Sequence, residues 1–178
     1  DLWIHYRKGI SAFGSDVDYD LLKISVEDDL TIGLFGRSEI KVEGGLFIND
    51  KRVQFVDYQH FNGNQTFVFA PGKALSSFLM LPYYEFSTSD PFVQIHYQHH
   101  FEGFLLDKIP LIRKAGLKTV LGASFLYTEA GKDYYEVSFG LDNLGIGIIK
   151  LFRADVVASF RNGNYLTTGF RLGIDLVN

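Results

Sequence analysis

His96, Gln98 and His100 fall on alternate positions of one stretch and so share one face of an extended chain. Imidazoles on one face invite a metal. Residues four apart on a strand lie about 13 Å apart, however, too far to share an ion unless another strand adds a ligand. The expectation is of lining histidines, with no metal and no cofactor. Glu102, Glu136, Arg153, Asp155, Arg171 and Asp175 mix both charge signs on polar faces and read as a paired or solvated interior network, able also to touch a loop or line a polar path. Ser124 and Ser159 have no histidine and acid at the spacing of a nucleophilic triad, and there is no glycine-rich phosphate loop or nucleophile elbow. The chain has no cysteine, which removes thiolate ligands, thiol nucleophiles and disulfides together. No enzymatic activity is expected. A carboxylate pair working inside a lumen, as in some barrel hydrolases, stays open at this stage.

These side chains need long strands to position them. Residues 92–106 set Val93, Ile95, Tyr97, Phe101 and Leu105 on one parity against Gln94, His96, Gln98, His100 and Glu102 on the other. Such a strand is about 45 to 50 Å long, more than soluble sheets usually use and suited to a tilted membrane-spanning strand. His99 falls on the apolar parity, which a bulge or a protein-covered patch would accommodate. The same alternation predicts strands over 2–12, from 22 onward, and over 40–48. After a turn at 107–116 it predicts strands over 117–127, 133–141, 148–161 and 165–177. Asn162-Gly163 is the strongest hairpin signal.

That makes eight antiparallel strands, three before and five after a loop at 50–91, and an up-and-down order sets this loop at the end opposite the C-terminus. The loop loses the alternation and holds Gly63-Asn64, Pro71-Gly72 and Pro82, yet it is rich in phenylalanine, leucine and tyrosine. A segment that apolar is expected to fold over or into the body.

The 178 residues, 47% hydrophobic and without a low-complexity divider, read as part or all of one domain spanning 1–178. Seventeen Phe, 10 Tyr and 18 Gly against 4 Pro suit long strands with tight turns. A net charge of −4 with no basic stripe lacks the footprint of a nucleic-acid binder. No run of 18 apolar residues predicts a membrane helix, a scan nearly blind to barrels. The chain starts at Asp1 without a signal peptide and reads as a mature or partial chain. Alternation alone leaves two architectures. In a soluble lipocalin-like barrel the apolar face fills the inside, and in a membrane barrel it faces lipid. The polar parity mixes Arg153, Asp155, Arg171 and Asp175 with Ser138, Gly140, Gly169 and Gly173, which suits a lumen better than a soluble surface rich in Lys and Glu. The preferred reading is an antiparallel up-and-down transmembrane β-barrel, with the soluble ligand-binding barrel or sandwich as its rival.

Gly63-Asn64-Gln65, Phe78, Met80, Tyr83-Tyr84-Glu85-Phe86 and Ser89-Asp90, followed by residues 99–106 and Lys108-Ile109-Pro110-Leu111, resemble a Bacteroidetes outer-membrane barrel family of unknown function. The resemblance covers roughly residues 57–176 and is most specific over 85–111. Members look like barrels preceded by a carboxypeptidase-regulatory-like domain, and the barrel is similar to the surface-antigen superfamily of outer-membrane assembly and translocation factors. It implies that these eight strands are the C-terminal half of a sixteen-stranded barrel, with the rest of the barrel elsewhere. It also implies a bacterial outer-membrane location and makes Gly63, Asn64, Met80, Glu85, Phe86 and Asp90 candidate loop-docking positions. The superfamily's loop carries an Arg-Gly-aromatic tip, whereas residues 50–91 hold no Arg-Gly pair and Arg52 is their only arginine. The implied role is structural, in assembly or in protein translocation, with a passive or gated pore as the alternative. Implied partners are outer-membrane lipid, the missing strands of the same barrel, and other envelope proteins or lipoproteins.

Overall fold

The computed structural model describes residues 1–12, 14–104, 106, 108, 113, 116–146 and 149–174. Nine strands form one sheet: β1 Leu2–Gly9, β2 Asp18–Thr31, β3 Arg37–Arg52, β4 Val68–Phe69, β5 Phe92–His100, β6 Lys118–Thr128, β7 Lys132–Ile146, β8 Ile149–Arg161 and β9 Asn164–Ile174. Their order is β1-β2-β3-β5-β6-β7-β8-β9-β4. Eight of them make the antiparallel meander that the alternation predicts, in sequence order. Among the described residues the sheet does not close on itself.

The structure corrects the expected layout in two places and chooses between the two accounts of His99. A ninth strand, β4, lies inside the supposed loop and pairs in parallel with β9, Val68 opposite Leu172 and Phe69 opposite Gly173. Two residues carry too little pattern to be read as a strand. Second, β5 stops at His100, because Glu102 and Gly103 take left-handed backbone angles (φ 36° and 87°) and turn the chain. Glu102 therefore sits in a turn and not in a strand, and Leu105 lies outside the described residues, as does most of the 107–116 turn. Of the two accounts of His99 the bulge is not needed, since β3, β5 and β6 pair through it without a register shift. Its ring nitrogens lie 2.8 Å from Ser38 Oγ and 3.0 Å from the Phe35 carbonyl, and Phe101 packs 4.4 Å from the ring centre. A covered patch is the right account. The hairpin expected at Asn162-Gly163 is present, both residues having positive φ (51° and 74°), as a type I′ turn requires.

The two faces of the sheet differ sharply. One cross-strand row runs Leu2, Val26, Val42, Ile95, Phe125, Tyr135, Phe160 and Tyr165, apolar or aromatic on all eight meander strands. Tyr135 and Phe160 stack in it, centroids 4.8 Å apart. This face is bare: Ile4 is 65% exposed and Phe170 63%, and Val93, Leu121, Val137, Phe139 and Val156 are all exposed. The neighbouring row, on the opposite face, reads Glu27, Lys41, His96, Ser124, Glu136, Ser159 and Thr167. Residues from 53 to 91 cover that polar face. Phe61, Phe78, Leu81 and Phe86 pack there against Tyr19, Leu21, Phe92, Leu126 and Tyr134, while Phe69, Ala74, Leu79 and Met80 pack against Val157. The apolar core thus lies between the long segment and the polar parity of the sheet.

Candidate functional site

The covering segment is fastened to the sheet by a few polar side chains. Glu136, buried on β7, accepts hydrogen bonds from the backbone N–H groups of Leu79 (2.7 Å) and Met80 (2.8 Å) and from the Tyr134 hydroxyl (2.7 Å). Arg171 on β9 donates from Nε to the Leu79 carbonyl at 2.6 Å. One stretch of segment backbone is thus held by an acid through its donors and by a base through its acceptor, satisfying peptide groups that no strand partner reaches.

Arg153 and Asp155, next to one another on the inner face of β8, are 1% and 0% exposed. The guanidinium donates to both Asp155 oxygens (2.8 and 2.7 Å) and to Gln98 Oε1 (2.9 Å), with the Phe69 ring 5.5 Å from its Cζ. A buried pair persists only when its remaining donors and acceptors are met, and Gln98 supplies that. At the segment's far end Arg161 reaches Glu85 (2.6 Å) and lies over the Phe86 ring (4.7 Å).

Glycines make the close approach possible. A Cβ on Gly173 would lie 2.6 Å from Pro71 and 3.0 Å from Phe69, one on Gly169 would lie 3.1 Å from Met80, and one on Gly131 would lie 2.5 Å from Phe86. Within the segment, a Cβ on Gly63 would lie 2.1 Å from the Leu81 carbonyl oxygen. Asn64 folds the following turn, accepting from Thr66 N–H (2.8 Å) and hydroxyl (2.7 Å) and donating to the Val68 carbonyl (3.1 Å) just before β4 pairs.

Several of the residues singled out from the sequence therefore meet: Glu136 with Met80, Arg171 with the carbonyl next to Met80, and Arg153 with Asp155. Glu85 and Phe86 meet instead at Arg161. Gly63 and Asn64 shape the segment without touching the charged residues. Asp90 closes a local turn, its N–H donating to Thr88 Oγ1 at 2.9 Å. Glu102 pairs with Lys118 (2.6 Å) at the mouth of a cavity of about 370 Å³ shared with Arg37, Glu39, His100, Asp142 and Arg153. Asp175 lies outside the described residues.

Sequence reasoning missed Tyr134, Gln98, Arg161 and Phe69 as partners. The available signals were shared parities, Gln98 with His96 and His100, Tyr134 with Glu136, and Arg161 with Arg153 and Asp155. His96 is buried, its Nδ1 2.9 Å from Ser124 Oγ and its ring 4.6 Å from Phe78, and Nε2 has no protein partner among the described residues. Among those residues no group of three or more His, Cys, Asp or Glu is placed to hold a metal ion. No helix among them is long and apolar enough to cross a membrane, which says nothing of strands.

Fold and site together define an all-β protein whose open sheet is apolar on its bare face and clamps its own long segment to the other. The chain belongs to the family of unknown function DUF5686, C-terminal domain, whose model matches residues 1–141. That match takes in the segment, Glu136 and the inner face as far as β7, starting well before residue 57, where the motif resemblance begins. No curated protein sequence and no solved structure matches the chain.

Proposed function

We propose that this chain is part of an integral outer-membrane β-barrel, its apolar face turned to lipid and its long segment filling the lumen. One observation carries the reading: the face that is apolar across eight strands is the exposed one, and the face bearing Glu136, Arg153 and Asp155 is the covered one. A soluble barrel has the reverse arrangement. The nine to sixteen residues of β2, β3, β5, β6, β7, β8 and β9 are enough to cross a bilayer at a tilt. The free edge of β1 and most of that of β9 cannot remain unpaired in hydrocarbon, so further strands of the same barrel complete the wall. Sixteen strands in all, of which those of the meander would be the last eight, is the number that the motif resemblance implies.

The role of such a barrel is structural, in assembly or translocation of other envelope proteins. A gated pore is the alternative, since the cavities left beside the segment are lined by charges: about 370 Å³ around Arg37, Glu39 and His100, and about 290 Å³ around Lys23, Lys41 and Glu43. Extraction of membranes holding the full-length protein tests the reading. Retention after alkaline carbonate, release by detergent and a heat-dependent shift in gel migration are expected; a detergent-independent, carbonate-soluble protein would sink it.

A further inference from the structure

The segment also builds a recess unlike the others. His60, Asn62, Ser76, Tyr83 and Tyr84 line a cavity of about 500 Å³ with no Asp, Glu, Lys or Arg in its wall, whereas the spaces between segment and sheet are lined by charges. Tyr83 and Tyr84 are 49% and 62% exposed. His60 is fixed by Ser87 Oγ at 2.7 Å and stands edge-on to Tyr84, centroids 5.2 Å apart. Phe55 buttresses both rings, at 5.1 Å from His60 and 6.0 Å from Tyr84.

Tyr84 also carries a backbone φ of 63°. Such a conformation is strained for a bulky aromatic residue and is the ordinary province of glycine, and strain of this kind collects where a side chain is wanted for use. A turn that needed only the backbone would be better served by glycine.

We infer that this recess binds neutral oligosaccharide, with the Tyr83 and Tyr84 rings stacking on sugar faces and the amide, hydroxyl and imidazole groups meeting sugar hydroxyls. Rigid tyrosines offer broad amphipathic contact at small entropic cost, and a wall with both donors and acceptors but no Asp, Glu, Lys or Arg matches an uncharged, hydroxyl-rich ligand. A cationic ligand would find no acid there, and an anionic one only the His60 imidazole. Only the placing of the recess in a barrel lumen rests on the outer-membrane reading; the binding does not.

The test uses the full-length protein in a detergent without a sugar headgroup, titrated calorimetrically with neutral hexasaccharides of the α-glucan, β-glucan, xylan and mannan types and with hexagalacturonate as charged control. Saturable binding of at least one neutral sugar and none of the acidic one is expected, with Tyr83→Ala and Tyr84→Gly each weakening it by about tenfold. Tyr84→Gly relieves the backbone and removes the ring, so its thermal midpoint should hold or rise while binding weakens. Absence of binding to every neutral sugar, a preference for the acidic one, or unchanged affinity in both variants would overturn the inference. Sugar binding by a protein that proves soluble would keep the site and reject the membrane.

Discussion

Glu136 shows how much one side chain can hold. Replacing it with Ala leaves two buried peptide N–H groups and the Tyr134 hydroxyl without their acceptor, which should cost about 2 to 4 kcal/mol. Glu136→Gln keeps one carbonyl oxygen and should cost about half as much. Limited proteolysis within residues 53–91 reads the effect directly, faster cutting being expected in the order wild type, Gln, Ala. Equal rates would mean that Glu136 does not hold the segment. The Arg153–Asp155 pair follows a different rule, since removing one partner strands a buried charge. Arg153→Met or Asp155→Leu alone should destabilise by about 3 to 5 kcal/mol, while the double variant should recover most of that loss in denaturant unfolding. A double variant as weak as the singles would show that Gln98 and Phe69 need the charge itself.

Among the elements, the meander was legible because one residue in two is apolar on every long strand and no other structure reads that way. What escaped lies where the covering segment changes the rules. Leu21, Phe92, Leu126, Tyr134 and Val157 are apolar residues on the polar parity, noise to a period-two reading but the floor on which the segment rests. The short β4 escaped because two hydrogen-bonded residues have no period at all, and its partner is set by tertiary contact. Of the site, the charged residues of the inner face could be named from parity, yet their pairing could not, because it depends on which segment residues arrive opposite them. Gly173 was readable only as a small residue on a strand; its use is to admit Phe69 and Pro71. Gly173→Val should therefore detach β4 from β9 without breaking the antiparallel sheet. Hydrogen exchange should quicken at Leu172, whose N–H bonds to the Phe67 carbonyl at 2.8 Å, and stay slow at residues 154–158.

At the scale of the whole molecule the bare apolar face separates the two architectures. Val137 and Phe139 are both about half exposed on it. An Arg at either site should be nearly silent if this face, bare as the sheet shows it, meets water. In a barrel wall near the bilayer midplane it should cost about 2 to 4 kcal/mol. Folding yield of the full-length protein into lipid vesicles, compared with its yield in buffer, measures the difference. The parallel contact of β4 with β9 has a kinetic consequence as well. Its two partners stand more than half the chain apart in sequence, and Arg171 grips Leu79 across a similar gap. These two ties cannot form until the last strand has arrived, so they are late events, slowed by the long closure they require, and come after Glu136 on β7 has taken hold of the segment. A chain cut short before β9 would keep the Glu136 anchor but leave Phe67, Val68 and Phe69 without their strand partner, opening that stretch first to any protease nearby.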